Sequence, residues 1–156
     1  MKKTDINATE LESSTRIRAC IEEVWRILKF PGKIDTFHPL VKRSYLISNQ
    51  TQGVGVKRHC DLLPMGAMDE VITSWNEGKS FTTKVVGGRM LPPFVFMKGT
   101  IRLDEDNQHT RATFTLSYKL KFGNLGRLMN FLLIKPQFKS APRKYVEGLK
   151  SYVEAL

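Results

Sequence analysis

The sequence predicts an α+β fold in which a curved antiparallel sheet of about seven strands wraps round a long C-terminal helix, with two short helices after the first strand. Three observations predict it. Residues 54–120 read as successive strands joined by short turns. In the last of these, Ala112, Phe114, Leu116, Tyr118 and Leu120 alternate with Arg111, Thr113, Thr115, Ser117 and Lys119, so one face is apolar and the other is expected to be wet. Finally, Phe138, Ala141, Tyr145, Leu149, Tyr152 and Leu156 step by three or four, the apolar stripe of a helix that covers such a sheet.

Taken in order, residues 1–8 read as a flexible N-terminus and 9–18 as a first strand. Residues 20–29 place Ile21, Val24, Trp25 and Leu28 at helical spacing, and Pro31-Gly32 ends that helix. A short helical segment at 33–38 leads past Pro39 into a strand at 41–48, and 49–53 is turn chemistry. Strands follow at 54–60, 68–76, 80–86, 95–103 and 110–120, with turns at 76–79 and 104–109. Residues 125–134 are nearly apolar all round and fit either a lid over an entrance or a buried helical turn. Pro136 and Pro142 are expected to kink or interrupt the helix that follows.

Composition bounds the rest. A chain of 156 residues with 41% apolar content fits one domain, 9–156, with a core that needs no staples. Cys20 and Cys60 read as reduced, half-buried thiols rather than a disulfide framework. No apolar segment follows the basic N-terminus and no apolar run approaches 18 residues, so a soluble cytoplasmic protein is expected. The net charge is +10 and is unevenly spread. Lys119, Lys121, Arg127, Lys135, Lys139, Arg143, Lys144 and Lys150 face a single acid, Glu147, which suits a solvated helix face or an anionic membrane surface. Nucleic acid is not expected as a partner, because no zinc-finger, helix-turn-helix or RNP-type pattern accompanies the charge.

The candidate chemistry centres on the middle strands. Glu70 alternates with Met68, Ile72 and Ser74, so on a concave face it places a carboxylate in an apolar space, where desolvation suits a general acid or a hydrogen-bond donor. A structural pairing with Arg58 or Lys84 is the alternative. Arg58 shares parity with Val54, Val56 and Cys60, and an Arg–Glu pair there fixes the polar end of a greasy ligand. His38, His59 and His109 form no ligand spacing with each other or with cysteine, so no metal is expected. Nor is any cofactor, since nucleophile-elbow, phosphate-loop and dinucleotide signatures are missing. Trp25 reads as core, and Trp75, on the opposite parity to Glu70, as lying on the outer face unless a bulge changes the parity.

The whole order of elements resembles the helix-grip fold of the START-like superfamily, which includes birch-pollen-type allergens, plant abscisic acid receptors and polyketide cyclase/dehydrase-like proteins. The residues that carry the likeness are Val24-Trp25, Phe37-His38-Pro39-Leu40-Val41, Gly53-Val54-Gly55, and Glu70 before Trp75. The resemblance implies a cavity between the sheet and the last helix. A finer similarity is to the receptors' gate and latch: the gate falls on Asp61-Leu62-Leu63-Pro64-Met65, its pocket glutamate on Glu70, and the latch glycines on Gly87-Gly88. The latch's next residues differ here, as Arg89-Met90-Leu91-Pro92, and the anchoring lysine falls near His38.

The expected function is therefore binding, or transport, of a small hydrophobic or amphipathic molecule. Arg58, Glu70 and His38 supply polarity. Leu63, Phe81, Met90 and Phe94 are expected to line or close the pocket, as are Phe114, Tyr118, Leu128 and Phe131. Two alternatives stand beside it: a cofactor-independent cyclase, dehydratase or isomerase with Glu70 as acid or base and Arg58 or Tyr118 stabilising an enolate, and a lipid or quinone carrier that docks on anionic membranes.

Overall fold

Alternation and turn chemistry together produce one seven-stranded sheet. The structure, a computed structural model, describes residues 8–156, so all but the last residue of the expected flexible N-terminus lies outside the described residues. The strands are β1 (Thr9–Ile17), β2 (Val41–Leu46), β3 (Lys57–Leu62), β4 (Ala67–Asn76), β5 (Ser80–Arg89), β6 (Phe94–Asp106) and β7 (His109–Leu120). They are ordered β1-β7-β6-β5-β4-β3-β2, every neighbour antiparallel. After β1 come α1 (Ile21–Leu28) and a 3-10 segment (Pro31–Thr36). The Glu23 carboxylate accepts a hydrogen bond from the Cys20 backbone N–H at 2.9 Å and so starts α1. After β7 come α2 (Gly123–Met129), a π-helical turn (Asn130–Ile134), α3 (Lys135–Phe138) and α4 (Ala141–Glu154). Among the described residues no helix is long and apolar enough to cross a membrane.

The α4 stripe enters the curl of the sheet. Tyr145, Val146, Leu149 and Val153 are buried against Ile17, Ile101, Leu103 and Ala112. Tyr152 is only partly buried and Leu156, past the helix end, is exposed, so the stripe turns toward Val153 rather than running to the terminus. Pro136 and Pro142 each sit in a first turn, where a missing N–H costs nothing; the helix is interrupted directly ahead of Pro142, between Phe138 and Ala141, and a second irregularity, the π turn, precedes Pro136.

Three details of the strands depart from simple alternation. β3 begins at Lys57, because positive φ at Gly53 and Gly55 curls the preceding residues into a turn and leaves Val54 exposed instead of beside Arg58. The outer face of β7 is not uniformly wet: Thr113 and Ser117 are buried on this strand, which has neighbours on both sides, and Thr113 bonds Ser14 of β1 at 2.7 Å. In β4 the register steps from Ile72↔Thr83 to Ser74↔Thr82, so Thr73 is an extra residue that reverses the parity. Trp75 consequently packs on the core, 5.1 Å from Trp25 and 5.4 Å from Phe81, and the Glu77 carboxylate accepts from Trp25 Nε1 at 2.8 Å and Trp75 Nε1 at 2.7 Å.

Gly148 sets how closely α4 approaches the chain after the 3-10 segment. A Cβ there would lie 2.2 Å from the Phe37 carbonyl oxygen and 3.1 Å from the Pro39 ring. Gly148→Ala is expected to destabilise the protein by about 2–3 kcal/mol, read as a lower urea midpoint at unchanged m-value. An unchanged midpoint would show that this contact does not position α4.

Candidate functional site

The sheet's inner face and α4 enclose a cavity of about 330 Å³, within the range of small-molecule sites. Its polar end is built by register. Arg58 and Glu70 lie directly opposite each other on β3 and β4, both buried, with Arg58 Nε donating to Glu70 Oε2 at 2.7 Å. Arg58 Nη1 donates to the Pro31 carbonyl at 3.0 Å, which ties the pair to the 3-10 segment. Thr83 Oγ1 donates to the other Glu70 oxygen at 3.1 Å. Both carboxylate oxygens are thus engaged as acceptors, and Lys84 lies exposed on the opposite parity.

Three titratable groups surround the pair. Burial, then the positive charges of Arg58 and Lys144, push His38 down from 6.5 to about 4, so the ring is neutral at ordinary pH. Its Nδ1 accepts from the Leu40 backbone N–H at 3.1 Å, which leaves the proton on Nε2 as a donor. Burial raises the Tyr145 hydroxyl above its usual value, opposed by Arg58 and reinforced by Glu70. The Tyr145 ring stacks on Phe114 at 4.2 Å and meets His38 edge-on at 5.3 Å. Burial also lifts the Cys60 thiol to about 12, which removes it as a nucleophile.

Away from the polar end the walls are mostly apolar, supplied by Met68, Val85, Met97, Phe114 and Leu116, with exposed Lys98 also on the lining. Gly99 makes room for the Phe114 ring, since a Cβ there would lie 2.6 Å from it. The mouth is bounded by Leu63, Pro64 and Met65, by Met90, Leu91 and Pro92, and by Gln137 and Phe138 of the helical arm with Ala141 at the start of α4. The gate-like segment therefore borders the cavity from Leu62 onward, whereas Asp61 points to the outer face, where it pairs with Arg43 at 3.0 Å and His59 at 3.1 Å. Gly87 and Gly88 remain within β5 opposite Asp69 and Met68, and the rim begins after them.

Of the expected residues, the structure brings His38, Arg58, Leu63, Glu70, Met90 and Phe114 to the cavity wall. Five others lie elsewhere. Phe81 is buried in the core against Trp25 and Trp75. Phe94 and Tyr118 form a separate cluster with Phe138, and the Tyr118 hydroxyl donates to Asn130 Oδ1 at 2.6 Å, so it has no enolate to reach. Leu128 and Phe131 project into solvent, which makes residues 125–134 neither a closed lid nor a buried turn. Thr83 and Tyr145 were missed. Thr83 shares parity with Val85 at the wall, and Tyr145 is one of two tyrosines, with Tyr152, on the apolar stripe; each was a readable signal.

Comparison with known proteins follows the same geometry. The family model described as polyketide cyclase / dehydrase and lipid transport matches residues 8–154. Among solved structures, TTHA0849 from Thermus thermophilus superposes with a TM-score of 0.76 at 19% identity, covering 94% of this chain and 98% of that one. Ara h 8.0201 superposes with a TM-score of 0.72 at 9% identity, covering 96% and 100%. At those identities the likeness is one of fold, and it is the helix-grip fold expected. No curated protein gives a significant match.

Two outcomes are expected. Glu70→Ala leaves a buried guanidinium without its counter-charge and lowers stability by about 3–5 kcal/mol in urea titration, while Arg58→Met with Glu70→Met recovers most of it. His38 takes up its proton only near pH 4 in the folded state but near 6.5 when unfolded. Its contribution is therefore complete above pH 6.5 and lost as pH falls toward 4, by about 2–3 kcal/mol. The stability difference between the parent and His38→Asn, followed from pH 7 to 4, isolates this term from the carboxylates; a flat difference refutes it.

Proposed function

We propose that this chain, which belongs to the polyketide cyclase / dehydrase and lipid transport family, binds a small, electrically neutral, largely apolar molecule by enclosure, without chemical change. One observation carries the choice: the polar end of the cavity is already charge-balanced. Arg58 is matched by Glu70 and fastened to Pro31, and His38 is neutral, so the buried guanidinium is not free for an acidic headgroup; the other cation on the lining, Lys98, is exposed. What is offered is a pair of donors, Tyr145 Oη–H and His38 Nε2–H, which suits a carbonyl, ether or hydroxyl oxygen. The remaining wall is mostly hydrocarbon, with Thr83, Gln137 and exposed Lys98 as its other polar members. Burying about 300 Å² of ligand at about 25 cal/mol per Å² gives about 7–8 kcal/mol, the scale of a micromolar complex.

Proton transfer by Glu70 is the weaker alternative. Its oxygens accept from Arg58 and Thr83, and both bonds must be surrendered before either oxygen can meet a substrate proton. Binding asks for no such rearrangement.

The discriminating experiment is calorimetric titration with a matched series sharing one hydrocarbon skeleton and ending in a ketone, an alcohol or a carboxylate. The neutral members are expected to bind at least about tenfold more tightly than the carboxylate at pH 7, because the acid must be desolvated beside an occupied guanidinium. Tyr145→Phe is expected to weaken the ketone about threefold to tenfold, the worth of one hydrogen bond. Preference for the carboxylate would overturn the proposal, and turnover of any member would move Glu70 back to a chemical role.

A further inference from the structure

The arm between β7 and α4 keeps six large apolar side chains in solvent. Phe122, Leu125, Leu128, Phe131, Leu132 and Leu133 are each between 54% and 74% exposed. Such a concentration marks a surface that meets protein or membrane. Three features choose between them. Phe122, Leu125, Leu128 and Phe131 step by three, and the π turn adds Leu132 and Leu133, also open, so the apolar face is a broad arc, wider than the single stripe that fits a protein groove. Along the arm itself the charge has one sign: no Asp or Glu occurs between Asp106 and Glu147, and Lys121, Lys135, Lys139 and Arg143 are exposed there, the neighbouring acid being Glu10 on β1. The arm also runs directly into the cavity mouth at Gln137 and Phe138, across from exposed Met65 and Met90 on the other two rims.

We propose that residues 122–133 dock this protein on an anionic lipid bilayer, with the apolar arc in the headgroup–acyl boundary, the flanking cations on lipid phosphates, and the cavity mouth beside the membrane surface. The docking uses a face that the ligand cavity leaves untouched, so it stands or falls separately from the ligand chemistry.

Flotation of the intact chain with vesicles tests it, using phosphatidylcholine alone and phosphatidylcholine mixed with phosphatidylglycerol. The protein is expected to float with the anionic vesicles and to be released as salt rises. Phe131→Ser with Leu133→Ser, and separately Lys135→Glu with Lys139→Glu, are each expected to lower the partition at least about tenfold. All four residues are exposed, and an unchanged urea midpoint confirms that the variants fold. Equal binding to neutral and anionic vesicles, or variants that partition like the parent, overturns the proposal. So does sedimentation showing a dimer that Phe131→Ser with Leu133→Ser disperses while vesicles bind nothing, because a second copy then covers the face.

Discussion

The buried Arg58–Glu70 pair is the constraint to which the interior conforms. Two opposite charges at 2.7 Å in a nearly dry place are tolerable only while each remaining polar atom has a role, and the chain supplies Thr83 from β5 and the Pro31 carbonyl from the 3-10 segment. Those partners come from elements far apart in sequence. The pair therefore fixes the register of β3 on β4, the alignment of β5 with β4, and the distance of the 3-10 segment from the sheet. Replacing it with hydrocarbon would keep a core but remove the reason for this particular arrangement.

Around that fixed end, the cavity persists because the helix is held where it cannot fill the curl. Gly148 lets α4 lie against Phe37 and Pro39, and Gly99 seats the Phe114 ring on Tyr145. The hollow then extends from the charged pair toward the rims between walls of Met68, Val85 and Met97. Methionine suits such walls, since an unbranched thioether adapts to more than one occupant.

Much of the fold could be read from alternation and helical spacing, because burial on one side leaves a regular imprint on a strand or helix. The β7 series and the α4 stripe are of this kind, and parity put both Arg58 and Glu70 on the inner face, while the register that sets them opposite, and so chooses Arg58 over Lys84, did not follow from it. What could not be read was where the period breaks. One extra residue at Thr73 carried Trp75 from the outer face to the core, and Val86, unmatched between Val85 and Gly87, shifted the rim of β5. Phe94, Tyr118, Leu128 and Phe131 have the composition of pocket walls, but only the path of the arm decides that the first two pack on Phe138 and the others face water. Composition tells that a side chain seeks an apolar neighbour; it does not tell which neighbour arrives.

The Trp25–Glu77–Trp75 contact has an optical consequence. These are the chain's two tryptophans, both donate to one carboxylate, and neither borders the cavity. Indole emission is therefore expected to report on a single corner, where α1 meets the β4–β5 hairpin, and ring centroids 5.1 Å apart are close enough for exciton coupling of the strong far-ultraviolet indole bands. The two chromophores act as a built-in gauge of whether the corner is closed, largely indifferent to what the hollow contains.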